Sequence, residues 1–110
     1  MKIDVNINNS VTSDLKDIFK TNLNKIILYG SFARGDESLE SDVDYLILTR
    51  LSDDEIKDYN KRIVDLSYKY LDNYNILFSF IVINSNQFDK YSDTLPFYNN
   101  IVKEGTVVYA

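Results

Sequence analysis

The sequence predicts an α/β (α+β) architecture, a small mixed β-sheet flanked by helices. Three observations carry that reading. Ile26-Ile27-Leu28-Tyr29 and Tyr45-Leu46-Ile47-Leu48 are short apolar runs bounded by turn residues, as strands are. Ile76 to Ile83 is apolar throughout except for Ser79. Between these runs, Ile56, Tyr59, Ile63, Leu66 and Tyr70 recur at spacings of 3, 4, 3 and 4, the stripe of an amphipathic helix.

Residues 1 to 10 are polar and Asn-rich, and the weak alternation from Lys2 to Ile7 fits a short edge strand. Ser13 can cap a first helix, with Asp14 in its first turn, where negative charge suits the helix dipole. Leu15, Ile18, Phe19 and Leu23 then repeat at helical spacing, a face to lay on the sheet. The strand Ile26 to Tyr29 stops at Gly30-Ser31. Phe32 and Ala33 face inward, and Gly35 ends a short helical turn. Asp36 to Ser41 is a polar loop whose Asp36 and Glu37 read as solvated acids.

A second strand runs from Asp42 to Thr49. Ser52 and Glu55 form a capping box for the helix that carries the Ile56–Tyr70 stripe, and Asp72-Asn73 stops it. Asp65, beside the stripe, reads as a surface partner of Arg62 or Lys69. Ile76 to Ile83 is expected as a central strand buried on both faces, and the helical crossover before it suits a parallel βαβ unit. Ser85 caps a helical turn through Tyr91. Pro96 opens another helix, with Phe97 and Ile101 one turn apart and Gly105 as its stop. Asn99, Asn100, Lys103 and Glu104 are its polar face, Lys103 reading as a solvated cation. Thr106 to Tyr109 is a last short strand. Nine Tyr suit positions with the ring buried and the hydroxyl wet.

Composition narrows the chemistry. At 110 residues, 45% hydrophobic and 26% charged, residues 1–110 read as one domain with one core. No apolar run reaches the length of a membrane span, and MKIDVNINNS has no signal-peptide core, so the expected location is cytoplasmic. The absence of Cys excludes disulfides and thiolate metal sites, and the absence of His excludes imidazole catalysis and the usual zinc sites. A net charge of −5 argues against direct nucleic-acid binding, which needs a basic face. It leaves room for a nucleotide carried with Mg2+, or for a basic protein partner.

The chemistry concentrates in residues 25 to 49, KIILYGSFARGDESLESDVDYLILT. Asp42 and Asp44 are two apart on a strand, so they project to one side. No Lys or Arg in the local sequence offsets their repulsion, and a hard divalent cation such as Mg2+ would. Gly30 permits close approach and unusual dihedrals. Ser31 supplies a hydroxyl and, if a helical turn starts there, free backbone N–H groups for a phosphate. Arg34, three residues on, can reach the same phosphate or pair with Asp36, Glu37 or Glu40. A phosphate cradle beside metal-binding carboxylates is the layout of metal-assisted phosphoryl or nucleotidyl transfer.

Gly30-Ser31, ten intervening residues and Asp42-x-Asp44 resemble the signature of the DNA polymerase β-type nucleotidyltransferase superfamily. LYGSFARGDESLESDVDYLIL is similar to its minimal nucleotidyltransferase branch, and PFYNNIVKEGTVVY to the closing helix and strand of that branch. Members of the branch resemble antitoxins encoded beside HEPN-type ribonucleases. The resemblance implies a polymerase β-like nucleotidyltransferase fold. It implies Mg2+ held by Asp42 and Asp44, an NTP, expected to be ATP, at Gly30, Ser31 and Arg34, and AMP transfer to a hydroxyl on a HEPN-type protein.

The superfamily pattern also carries a third carboxylate, on the strand beside the Asp-x-Asp strand. Here the equivalent position falls to Asn75 or Ser79, and neither supplies a carboxylate's charge; Ser79 can equally be a small residue that relieves crowding. Two readings follow from the missing acid: a working enzyme, or a nucleotide-binding antitoxin that is weak or inactive in catalysis and inhibits its partner by contact. A third is an acidic interaction domain with no nucleotide site.

Overall fold

The computed structural model describes residues 5–35 and 42–110. Its four strands are β1 (Leu23–Tyr29), β2 (Val43–Thr49), β3 (Phe78–Asn84) and β4 (Thr106–Tyr109). They form one mixed sheet in the order β3-β2-β1-β4. β1 pairs antiparallel with both β2 and β4, while β2 and β3 are parallel. The helices are α1 (Val5–Phe19), α2 (Ser31–Arg34), α3 (Asp53–Lys57), α4 (Asn60–Tyr74), α5 (Ser85–Tyr91) and α6 (Pro96–Glu104). The α/β reading with a mixed sheet and flanking helices therefore holds.

Strand alternation divides the core into two layers. Ile26, Leu28, Val43, Tyr45 and Ile47 face α1 and α4, where Ile7, Val11, Leu15, Phe19, Ile63, Leu66 and Tyr70 meet them. Ile27, Leu46 and Leu48 face the other way, onto Phe88 of α5 and Tyr98 and Ile101 of α6. Two fully buried tyrosines on the first side depart from the tyrosine reading, their hydroxyls being bonded inside the protein instead of wet. Tyr45 donates to Asn8 Oδ1 at 2.6 Å, and Tyr70 donates to Asp14 Oδ2 at 2.7 Å. Lys69 also reaches that carboxylate at 3.0 Å, so α1 and α4 are tied by charge as well as packing.

Several expectations need correction. Residues 5 to 7 belong to α1, not to an edge strand; Lys2 to Asp4 lie outside the described residues. The signal was there: Ile7, Val11, Leu15 and Phe19 repeat every four residues on one buried face, diluted by the Asn residues between them. Ser13 accordingly sits mid-helix and exposed, not at a cap, and Leu23 opens β1 instead of extending the helical stripe.

The long helix is two. After the capping box of Ser52 and Glu55, hydrogen bonds from Asp58 to Glu55 and from Tyr59 to Ile56 span three residues instead of four, a tightened turn that separates α3 from α4. The apolar stripe still reaches the core through both pieces. Asp65 pairs with Lys61 at 3.0 Å, not with Arg62 or Lys69. Finally, β3 is an edge strand. Its continuous hydrophobicity reflects helices packed on both faces, which says nothing about how many strands flank it.

Two boundaries also shift: α4 runs through Asp72-Asn73 to Tyr74 and is capped by Asn75, and Asn84, not Ser85, caps α5. Pro96 at the start of α6 and Gly105 at its end stand as read. No described helix is long and apolar enough to cross a membrane.

Candidate active site

β1 and β2 lie side by side with Tyr29 opposite Asp44. On the other flank of β2, Ser79 of β3 is level with Asp44. Asp44 thus stands in a row of three neighbours on the face that carries α5 and α6. The chain leaves β1 at Gly30 with φ 77° and ψ −156°, a region that only glycine adopts without strain. A Cβ on Gly30 would lie 2.5 Å from Asp44 Oδ2. The glycine corner and the aspartate therefore meet, although thirteen residues lie between them in the sequence, and Asp44 does not itself line the cleft beside Gly30.

Ser31 begins α2, a single turn closed by the Arg34 N–H donating to Gly30 O at 3.1 Å. Gly35 then ends it in the left-handed conformation. Phe32 and Ala33 pack on the core as read. Arg34 leans across to α6, where its Nη1 donates to Glu104 Oε2 at 3.3 Å. Asp36, Glu37 and Glu40, the other partners considered for Arg34, lie outside the described residues.

The electrostatics centre on Asp44. Burial pushes its carboxyl above the usual carboxylate value, the charge of Asp42 pushes it further, and Arg34 partly opposes them. Asp42, just before β2, is exposed. Tyr29 is pushed up to about 12, by burial first and then by the Asp44 charge. The site thus holds an excess of negative charge that a hard cation would offset. Asp42, just ahead of β2, and Asp44, within it, offer carboxylate oxygens of the kind Mg2+ takes. Among the described residues no cluster of three acids, His or Cys is in place to hold a metal.

The two alternatives for the third-carboxylate position now separate. Asn75 is the left-handed cap of α4, its N–H donating to Leu71 O at 2.8 Å, and it is not on the strand. Ser79 is the residue in register with Asp44.

A family model for the nucleotidyltransferase domain matches residues 10–108. The chain belongs to the nucleotidyltransferase domain family. This nucleotidyltransferase domain is 38% identical over 95 residues to a protein of Methanocaldococcus jannaschii that bears the name protein adenylyltransferase MJ0604, covering 86% of this chain and 87% of that one. Its fold recurs in a crystal structure of a toxin–antitoxin with AMP-PNP, at a TM-score of 0.62 and 18% identity, covering 94% of this chain and 73% of the other. It recurs again in the complex of a tri-AMPylated Shewanella oneidensis HEPN toxin with an MNT antitoxin, at a TM-score of 0.58 and 17% identity, covering 97% and 73%.

Sequence reasoning missed one wall of the site. A cleft of about 200 Å³ beside Gly30 is lined by Tyr29, Arg34, Phe97, Asn100, Ile101 and Glu104. Four of these come from α6 at positions 97, 100, 101 and 104, one face of a helix. Reading Phe97 and Ile101 as apolar stripe, and Asn100 and Glu104 as solvated face, split that group in two. Ile101 is 3% exposed and Phe97 45% exposed, so the two are not equivalent core residues. Lys103, by contrast, is exposed and does not line the cleft.

Proposed function

We propose that this domain transfers AMP from ATP to a hydroxyl on a protein partner of the HEPN-toxin kind, and acts as the antitoxin of that pair. The observation that carries the reading is the approach of Gly30 to Asp44, which sets a stretch of backbone without a side chain directly against a carboxylate. The protein adenylyltransferase relative supports the chemistry, and the toxin–antitoxin complexes that share the fold support the partner.

In this reading the backbone of Gly30, the Ser31 hydroxyl and N–H, and the Arg34 guanidinium hold the triphosphate. Asp42 and Asp44 hold Mg2+, which when bound neutralises phosphate charge and makes the acceptor hydroxyl more acidic. The acceptor oxygen attacks the α-phosphorus in line. A new O–P bond forms, the bond to the β-phosphate bridging oxygen breaks, and pyrophosphate leaves. The acceptor proton passes to water, since Ser79 is no base at neutral pH. Arg34 must loosen from Glu104 to bind phosphate fully. That ion pair is half exposed and worth well under ~1 kcal/mol.

The test incubates the domain with labelled ATP, Mg2+ and the candidate partner, beside an Asp42→Asn, Asp44→Asn variant. Label on the partner, lost in the variant, supports transfer. A second reading is favoured by one observation, a Ser79 hydroxyl level with Asp44, on the strand where the superfamily resemblance implies a third carboxylate. In it the domain binds nucleotide and inhibits its partner by contact. Inhibition by both versions without label would select it.

A further inference from the structure

The phosphate reading above uses Gly30 and Arg34 of the neighbouring cleft and gives its α6 wall no role. We propose that Phe97 and Asn100 make that wall an adenine-selective base pocket. The ring of Phe97 would stack on the base, and the Asn100 carboxamide would accept from the exocyclic amine and donate to the adjacent N7. This deepens the nucleotide reading above and rests on it.

Phe97 is a large apolar side chain that stays 45% exposed, yet it is held in place. Tyr29 meets it edge-on, with ring centres 5.7 Å apart at 88°, and Tyr98 packs on it at 6.0 Å. A fixed, exposed ring is a ready stacking surface, and stacking suits any base. Selectivity must come from a polar neighbour. Asn100 stands on the same helix face, three residues on, and lines the same cleft. No described residue hydrogen-bonds its carboxamide.

A carboxamide offers one donor and one acceptor side by side. Adenine presents an amine beside N7, a matching pair, whereas guanine presents two acceptors on that edge. Size agrees: the cleft, about 200 Å³, is smaller than sites that enclose a whole small molecule, and suits one ring system with the rest of the nucleotide outside.

The experiment measures binding with Mg2+ and no partner, by calorimetry and thermal shift. The probes are AMP-PNP, GMP-PNP and inorganic tripolyphosphate, each on the wild type, Phe97→Ala and Asn100→Ala. The wild type is expected to favour AMP-PNP over GMP-PNP about tenfold, a preference that Asn100→Ala flattens. Phe97→Ala is expected to weaken both analogues about tenfold or more. Neither variant should change tripolyphosphate binding; Asn100→Ala should also keep the melting temperature without ligand, because that side chain is exposed, whereas Phe97→Ala should lower it slightly through its lost contacts with Tyr29 and Tyr98.

Equal wild-type affinity for the two analogues, or a preference that survives Asn100→Ala, overturns the base pocket while tripolyphosphate binding keeps the phosphate site. Failure of all three probes to bind the wild type overturns both readings.

Discussion

Gly30 and Asp44 leave no room for a side chain between them: a Cβ on Gly30 would fall 2.5 Å from Asp44 Oδ2 and 3.3 Å from its Cγ. Gly30→Ala therefore combines a clash with a backbone conformation foreign to alanine, for a total of ~2–4 kcal/mol. The two parts can be told apart. In an Asp44→Ala background the clash disappears and ~1–3 kcal/mol of backbone strain remains. Denaturant unfolding of the four proteins in the cycle measures this, and strictly additive losses would contradict the contact.

Asp44 makes a signed statement about pH. Its carboxyl is raised in the folded state, by burial first and by Asp42 second, so the folded protein holds that proton more tightly than the unfolded chain does. The contribution is fully present below the usual carboxylate value of 3.8 and is lost as pH rises through the raised value. Asp44→Asn should remove this fall, leaving the variant relatively more stable than the wild type above that window than below it. Melting curves from pH 3.5 to 7 test it; parallel profiles for the two proteins would refute the assignment. Mg2+ at neutral pH should raise the melting temperature of the wild type and not of Asp42→Asn, Asp44→Asn.

Ser79 tests whether a third acid limits the chemistry. Ser79→Asp sets a carboxylate level with Asp44 on the adjacent strand. Without a cation, like charges on neighbouring strands should destabilise the protein by up to ~1 kcal/mol. With Mg2+ the loss should reverse, and the rate of label transfer should rise about tenfold or more, the scale of one well-placed catalytic group. A variant that binds Mg2+ more tightly with an unchanged transfer rate would show that the missing acid is not what limits catalysis.

Gly105 governs a joint away from the chemistry. Its φ of −73° is open to any residue, so the constraint is space. A Cβ there would meet Ile101 O at 2.5 Å and Ile27 Cγ2 at 2.6 Å. Gly105→Ala is expected to lower stability by ~1–3 kcal/mol, the range of overpacked sites, by prising α6 off β1. Chemical denaturation reads this directly. AMP-PNP affinity should fall with it, because α6 is also the cleft wall.

The legible parts of the sequence were those where one residue type answers one local need. Gly30, the two aspartates, the Ser52–Glu55 box and Pro96 each declare themselves this way. The start of α1 did not, because Asn-rich stretches obscure a four-residue apolar repeat, and the edge position of β3 did not, because pairing partners leave no trace in a strand's own hydrophobicity. The α6 wall was hidden for a third reason. Phe97, Asn100 and Glu104 form one group only once β1 and α2 face them across a gap, and that juxtaposition is a tertiary fact.

The strand order also has a consequence during synthesis. β1 carries the glycine corner and emerges early, but one of its two neighbours is β4, residues 106 to 109. The helix that closes the cleft ends only just before, at Glu104. A ribosome-bound chain can thus display the corner and both aspartates while the site still lacks a wall and its first strand lacks a partner. Nucleotide capture should wait until the last of these residues has cleared the exit tunnel.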